Sequence, residues 1–308
     1  MKILFFGCDD FAATSLIRLI HPGHKVVGLV TQPDRPQGRG MHILFSATKQ
    51  VALAHSVPVF QPQTLKDPGV IERLRAFEAD LFVVIAYGKI LPASVLSLPR
   101  LFCLNVHASL LPKFRGAAPV NWAIIHGEKK AGVTLIRMNE GMDTGDMIAS
   151  REHSIGADTT AQELRGQLAV AGADLLLETL PLLKEGRISF TVQDERRASK
   201  APKMTKDLGH INWAQPAQWA HDLIRGVQPW PGAYTFWHGA RLKILDTSLA
   251  AMQKGVPGEI IEVHKDGFFV QAGEGALLVR RVHPANSHAM DARAFLAGHR
   301  IKVGDVLG

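Results

Sequence analysis

Short apolar runs alternate with helically spaced segments through the first two thirds of the chain. Lys2–Gly7 is almost wholly apolar and reads as a buried strand. Over Phe11–Ile20, Leu16, Leu19 and Ile20 fall on one helical face. Lys25–Thr31 is a second β-rich run, and the spacing predicts helices over 46–55 and 69–78. Leu81–Ala86 and Leu101–His107 are further apolar runs. Runs this continuous suit parallel strands covered on both faces. Together they predict an α/β fold, a doubly wound, mostly parallel sheet. A periodic stretch over 159–184 predicts a long helix returning across that sheet.

The rhythm then breaks. Residues 190–206 hold Arg196, Arg197, Lys200, Lys203 and Lys206 with little apolar content and read as a basic linker. A short helix is expected near 216–226. After it come Tyr234–Trp237, Leu242–Leu245, Gly258–Val263, Gly267–Gln271 and Ala276–Val282, about ten residues apart and split by turns containing Gly or Asp. Such spacing predicts a smaller C-terminal β-barrel of the OB type. The expected organisation is a first domain over 1–189, the linker over 190–206 and the second domain over 207–308.

Composition narrows the class. With 46% apolar and 20% charged residues, the chain has enough apolar surface to fold, which excludes disorder. A length of 308 residues suits about two domains. Cys8 and Cys103 are too few for a disulfide scaffold and read as reduced core residues, consistent with a cytoplasmic setting. Asp9-Asp10 cuts the first apolar run too short for a signal peptide. Leu81–Tyr87 falls far below the ~20 residues of a membrane helix, so no membrane role is expected.

Charge adds a partner. The formal net charge is +7, and residues 184–206 carry seven basic side chains against three acidic ones. A phosphate backbone is the commonest partner of such a surface; an ordinary basic protein has the same balance.

The phosphate-loop pattern G-x-x-x-x-G-K-[ST] is absent, and Gly38-Arg39-Gly40 lacks the third glycine of a dinucleotide fingerprint. Fourteen histidines are scattered without metal-ligand spacing, so no metal site is expected. The richest segment is 101–119. Strand alternation turns Asn105 and His107 to one side and Val106 to the other. In open α/β sheets the carboxyl ends of the strands line the ligand crevice. There Asn105 offers an N–H donor to a developing oxyanion and His107 a group that exchanges protons near neutral pH. A polar strand end bonded to nearby backbone fits the same pattern. Gly141-Met-Asp-Thr-Gly145 is a tight loop that presents Asp143, either to His107 or to solvent.

Several motifs resemble those of the folate-dependent formyltransferases. They are Asn105-Val-His107, Ser109-Leu-Leu-Pro112, Arg115-Gly-Ala-Ala-Pro119 and Met142-Asp143-Thr-Gly145. Thr31–Gly40, Val59–Pro62, Ala86–Pro92 and Pro229-Trp-Pro231 are similar to the family as well, so the resemblance covers most of the chain. Two places depart from it: Gly7-Cys8-Asp9-Asp10-Phe11 stands where Gly-Thr-Pro-Asp-Phe is common, and Ile211-Asn212-Trp213 where Ile-Asp-Trp is often found.

The resemblance implies a formyl donor, 10-formyltetrahydrofolate, and no metal. It implies Asn105, His107 and Asp143 as catalytic residues, with Asn105 and His107 stabilising the oxyanion and Asp143 orienting His107 and aiding proton removal, and Ser109, Leu110, Leu111 and Pro112 as the folate site. The acceptor it implies is the free amino group of methionyl initiator tRNA, with Arg39, Lys203 and Lys206 toward the tRNA. No obligate protein partner is expected, and the chain is expected to act as a monomer in the cytoplasm. Competing readings are formylation of an amino sugar nucleotide, hydrolysis of the formyl folate, or a non-catalytic RNA-binding module. The basic linker and the Arg39 loop favour tRNA, because a small nucleotide sugar needs no polycationic track.

Overall fold

The structure is a computed structural model that describes residues 1–21, 24–37 and 42–308. Arg39 lies outside the described residues. The chain opens with β1 (Lys2–Gly7), α1 (Asp10–Ile20), β2 (Lys25–Val30), β3 (Arg35–Gln37), β4 (His42–Leu44) and α2 (Ala47–Ala54). Next come β5 (Val59–Phe60), α3 (Pro68–Arg75), β6 (Leu81–Ile85), α4 (Ala93–Leu96), β7 (Cys103–His107), β8 (Arg115–Gly116) and α5 (Pro119–Ile125). β9 (Lys130–Arg137), β10 (Asp146–Ser154), α6 (Ala161–Lys184), β11 (Lys200–Ala201) and α7 (Ala217–Gly226) follow. The tail holds β12 (Tyr234–Trp237), β13 (Ala240–Ala250), β14 (Ile260–His264), β15 (Gly267–Gln271), β16 (Ala276–Pro284), β17 (Met290–Asp291) and α8 (Ala292–Gly298).

These elements form two compact units. The first takes Met1–Gly116, Ala131–His153 and Arg165–Lys200; the second takes Ala117–Lys130, Ser154–Leu164 and Ala201–Gly308. The second therefore includes 117–130 and 154–164, stretches that periodicity along the chain groups with the first domain. Contact between distant segments decides membership, and a linear pattern does not carry it.

In the first unit a seven-stranded sheet runs in the order β10-β9-β7-β6-β1-β2-β5. β5, β2, β1, β6 and β7 are parallel in succession, and β9 pairs antiparallel with β7. This is the mostly parallel α/β sheet that the apolar runs predict. Local chemistry starts its helices: the Asp9 side chain accepts from the Ala12 amide at 3.1 Å, and Asp67 caps α3 ahead of Pro68. Asp9 thus caps α1 at the position where the resembled motif carries a proline. One face of the sheet buries Leu4, Phe6, Val30, Phe82 and Val84 in a common cluster, with the Phe6 and Phe82 rings 5.1 Å apart.

Helix α6 is long and apolar enough to cross a membrane by length and composition. Its Leu168, Ala169, Ala173, Leu176 and Leu180 are buried in the protein, while Asp174 and Glu178 pair with Arg18 and Arg151. That two-sided pattern is a core helix with a wet face.

The second unit is built on an antiparallel sheet ordered β12-β13-β16-β15-β14, with β17 on β16. All five predicted strands are present. Leu242, Ile244, Phe268, Val270 and Val279 pack with Leu223 and Ile224 of α7 and Phe295 of α8. Trp213 is buried and donates to Thr235 Oγ1 at 3.1 Å, and Trp122, Trp219 and Trp237 pack on the same core. Trp230 is half exposed.

Candidate active site

The carboxyl ends of β1, β6 and β7 share one edge of the first unit, because these strands are parallel. Loops leave that edge and bond to each other: the Tyr87 carbonyl accepts from Gln32 Nε2 at 2.8 Å. β7 carries Asn105 and His107 to the same edge, in register with Ile136 and Thr134 of β9.

Asp143 meets both. Its Oδ1 lies 3.5 Å from Asn105 Nδ2 and 3.6 Å from His107 Nδ1. Its Oδ2 accepts the Gly116 amide at 2.8 Å. His107 Nε2 lies 3.0 Å from the Phe114 carbonyl. A carbonyl only accepts, so Nε2 carries a proton and Nδ1 is the nitrogen left facing the carboxylate. The His107 side chain is 7% exposed and that of Asp143 17% exposed, so the carboxylate is partly desolvated yet open to a ligand.

The loop that delivers Asp143 is strained. Asp143 has φ +55°, in the left-handed region that costs a non-glycine residue free energy. At Gly145 a Cβ would stand 1.9 Å from the Arg137 carbonyl, so only glycine fits. Gln193 holds the bend. Its amide donates to the carbonyls of Asp143 at 2.8 Å and Gly145 at 2.7 Å. Its Oε1 accepts from Arg115 Nε at 3.0 Å and from a second guanidinium nitrogen at 2.8 Å. Arg115 also bonds to both oxygens of Glu195, which keeps the Glu195 carboxyl below its ordinary value.

Sequence reasoning missed Gln193. It sits in the basic stretch 190–206, between exposed Val192 and half-buried Asp194, with no pattern to mark it. The structure buries it and makes residues up to Lys200 part of the first unit. Ser199 joins it there, accepting the Phe114 amide at 2.9 Å.

Ser109–Pro112 forms the turn after β7. Ser109, Leu111 and Pro112 are buried and Leu110 is half-buried. The Ser109 hydroxyl donates to the Lys113 carbonyl at 2.6 Å, and Thr134 Oγ1 bridges the Ser109 carbonyl and the Leu111 amide. These side chains shape the loop. Lys203 and Lys206 are exposed in the second unit. Among the described residues no group of His, Cys, Asp or Glu is arranged to hold a metal.

Comparison with known proteins shows the family. The formyl transferase family matches residues 1–180, and the formyl transferase C-terminal domain matches residues 203–300. The chain is 45% identical to the methionyl-tRNA formyltransferase of Alkaliphilus oremlandii over 309 residues, covering all of both chains. It is also 45% identical to that of Caldanaerobacter subterraneus subsp. tengcongensis over 308 residues, again covering all of both. In structure it resembles HypX from Aquifex aeolicus in complex with tetrahydrofolic acid, with a TM-score of 0.67 at 19% identity, over 96% of this chain and 47% of that one. On these grounds the chain belongs to the methionyl-tRNA formyltransferases within the formyl transferase family.

Proposed function

We propose that the protein transfers a formyl group from 10-formyltetrahydrofolate to the free amino group of methionyl initiator tRNA. The observation that carries the reading is the meeting of Asn105, His107 and Asp143 at the carboxyl edge of the sheet, within 3.6 Å of the Asp143 carboxylate. Full-length identity to the two relatives supports the acceptor.

The acceptor amine must be neutral to attack, and α-amino pKa values of about 7.7–8 leave a usable fraction neutral at pH 7. As the amine attacks the formyl carbon, negative charge builds on the carbonyl oxygen; collapse of the tetrahedral adduct then breaks the bond from the formyl carbon to the folate nitrogen, which leaves as tetrahydrofolate carrying the proton given up by the amine. Asn105 Nδ2 donates to that oxygen, a contribution worth about 3 kcal/mol at the transition state. His107, its Nε2 proton committed to the Phe114 carbonyl, uses Nδ1 for proton exchange. Asp143 orients the ring and helps draw off the amine proton. Holding amine and formyl group together supplies several kcal/mol more. Ser109, Leu110, Leu111 and Pro112 form the wall against the folate.

On the same reading, residues 1–189 carry the reacting groups, 190–206 form the linker, whose Gln193 also holds the Asp143 loop, and 207–308 bind tRNA. Arg39 reaches the acceptor stem of the tRNA, and Lys203 and Lys206 neutralise its phosphates. The protein works in the cytoplasm as a monomer without an obligate protein partner. The decisive experiment offers charged initiator tRNA, uncharged initiator tRNA and an amino sugar nucleotide to the purified protein with 10-formyltetrahydrofolate. Formylation of the charged tRNA alone is expected. Formylation of the sugar with the charged tRNA ignored overturns the proposal.

A further inference from the structure

The second unit carries a ring cluster on its surface that the transfer chemistry does not use. The His210 ring centroid lies 5.3 Å from that of Tyr234 and 6.0 Å from that of Phe236, and the Tyr234 and Phe236 rings meet edge to face at 5.8 Å. Tyr234 and Phe236 alternate with buried Thr235 along β12, so both stand on the outer face of the sheet. Phe236 is 36% exposed, and His210 is exposed beside it.

Cations frame the rings. In the β12–β13 register Tyr234 stands opposite Lys243, and Phe236 opposite Arg241. The Arg241 guanidinium lies 3.5 Å from the Tyr234 centroid. Its Nε is buried without a hydrogen-bond partner, so the ring face rather than an acid holds it. Lys243 Nζ bonds to the Pro231 carbonyl at 3.2 Å and to no other partner among the described residues. On β16, His283 stands opposite Lys243. The nearest acid in this register, Asp246, stands opposite Arg281 farther along β13. The exposed Phe236 ring beside exposed His210 and half-buried Tyr234, next to two cations that pair with no carboxylate among the described residues, suits a single-stranded nucleic acid: bases stack on the rings and phosphates take the charge. Exposed Lys206 lies four residues before His210 in the chain.

We propose that His210, Tyr234 and Phe236, flanked by Arg241 and Lys243, form a stacking site for an unpaired base of the tRNA. The inference rests on tRNA being the substrate and adds a base contact to the phosphate contacts of that reading. The site reads the flat face of a base, so it tolerates sequence and depends on an unpaired nucleotide.

The test uses the full chain and methionyl initiator tRNA, with wild type, Phe236→Ala, Phe236→Leu, Phe236→Trp and Arg241→Gln. Loss of one stacked base weakens binding about five-fold or more. Phe236→Ala and Phe236→Leu are both expected to raise the tRNA Kd by that factor, the kinetic loss falling on KM more than on kcat. Phe236→Trp is expected to restore binding, because it restores the ring. Phe236 variants keep the wild-type salt slope, while Arg241→Gln lowers it by about one. If Phe236→Leu binds like wild type while Phe236→Ala does not, the residue packs rather than stacks and the inference fails. Unchanged binding by Phe236→Ala, in a preparation whose wild type formylates the tRNA, overturns the inference alone. A wild type that neither binds nor formylates the tRNA overturns the substrate reading and this inference with it.

Discussion

The buried side chain of Gln193 donates to the backbone carbonyl of Asp143 at 2.8 Å. One amide thus holds a carboxylate-bearing residue in a left-handed conformation that it would otherwise leave. Gln193→Ala leaves two partly buried carbonyls and the Arg115 guanidinium short of a partner, at a cost of about 1–3 kcal/mol. Gln193→Glu keeps the size and still accepts from Arg115 but donates nothing to the carbonyls. Both variants are expected to stay folded by circular dichroism and to lose at least about ten-fold in kcat. If Gln193→Glu turns over like wild type, the carbonyl bonds do not position Asp143.

Asn105→Ala removes the one neutral side-chain donor next to His107 on β7. The loss of an oxyanion donor typically lowers kcat about 100- to 1000-fold, with little change in KM for either substrate because the interaction forms in the transition state. Steady-state kinetics with charged tRNA check this. A KM effect at constant kcat would make Asn105 a ground-state contact instead.

The sheet and the Asn105/His107 pair are legible in the sequence for one reason: strand alternation is local. Val106 faces away from its two neighbours whatever the rest of the chain does. The Asp143 loop is legible through its flanking glycines, since Gly145 reports a close approach of backbone. Gln193 is not legible, because its partners are carbonyls some 50 positions away in the chain and a lone glutamine in a polar stretch has no period. The same limit hides the grouping of 117–130 and 154–164 with the second unit. The aromatic face of β12 escapes as well: only the cross-strand register brings Arg241 and Lys243 alongside Phe236 and Tyr234.

The two thiols should differ sharply. Cys103 is buried on β7, and desolvation pushes its thiol up to about 12; the thiolate that reacts is almost absent at neutral pH. Cys8 is partly accessible at the end of β1. A thiol-alkylating reagent at pH 8 is expected to modify one cysteine in the native protein, Cys8, and both after unfolding. Peptide mapping that finds native Cys103 labelled at a comparable rate contradicts the burial of β7.

Asp34 sets an acid limit. A hydrogen bond from Lys49 holds its carboxyl below the ordinary value, with a further bond from Gln61 Nε2 at 3.0 Å. A carboxyl depressed by folding adds stability that is fully present above its unfolded value, about 3.9, and is lost as pH falls through the lower folded value. Asp34→Asn is therefore expected to destabilise by a constant amount from pH 7 to 5. That difference should shrink below about pH 4. Denaturant titrations at pH 7, 5, 4 and 3 measure it, and a difference independent of pH would mean the ion pair adds nothing.

In the second unit the Arg225–Asp222 pair on α7 is buried, with both side chains 4% exposed. Arg225 bonds twice to Asp222 Oδ1, at 2.8 and 2.6 Å, and reaches the Thr159 carbonyl at 2.9 Å. Gln218 Nε2 also donates to Asp222, at 3.0 Å. Arg225→Met would leave a desolvated carboxylate without its cation and the Thr159 carbonyl without its donor. The expected cost is about 3–5 kcal/mol, read as a lower denaturation midpoint. Replacing both residues, as Arg225→Met with Asp222→Leu, removes the stranded charge and should recover part of that loss, because a well-packed apolar pair avoids the desolvation penalty. A double variant less stable than Arg225→Met alone would mean that Asp222 supports α7 through contacts other than the ion pair.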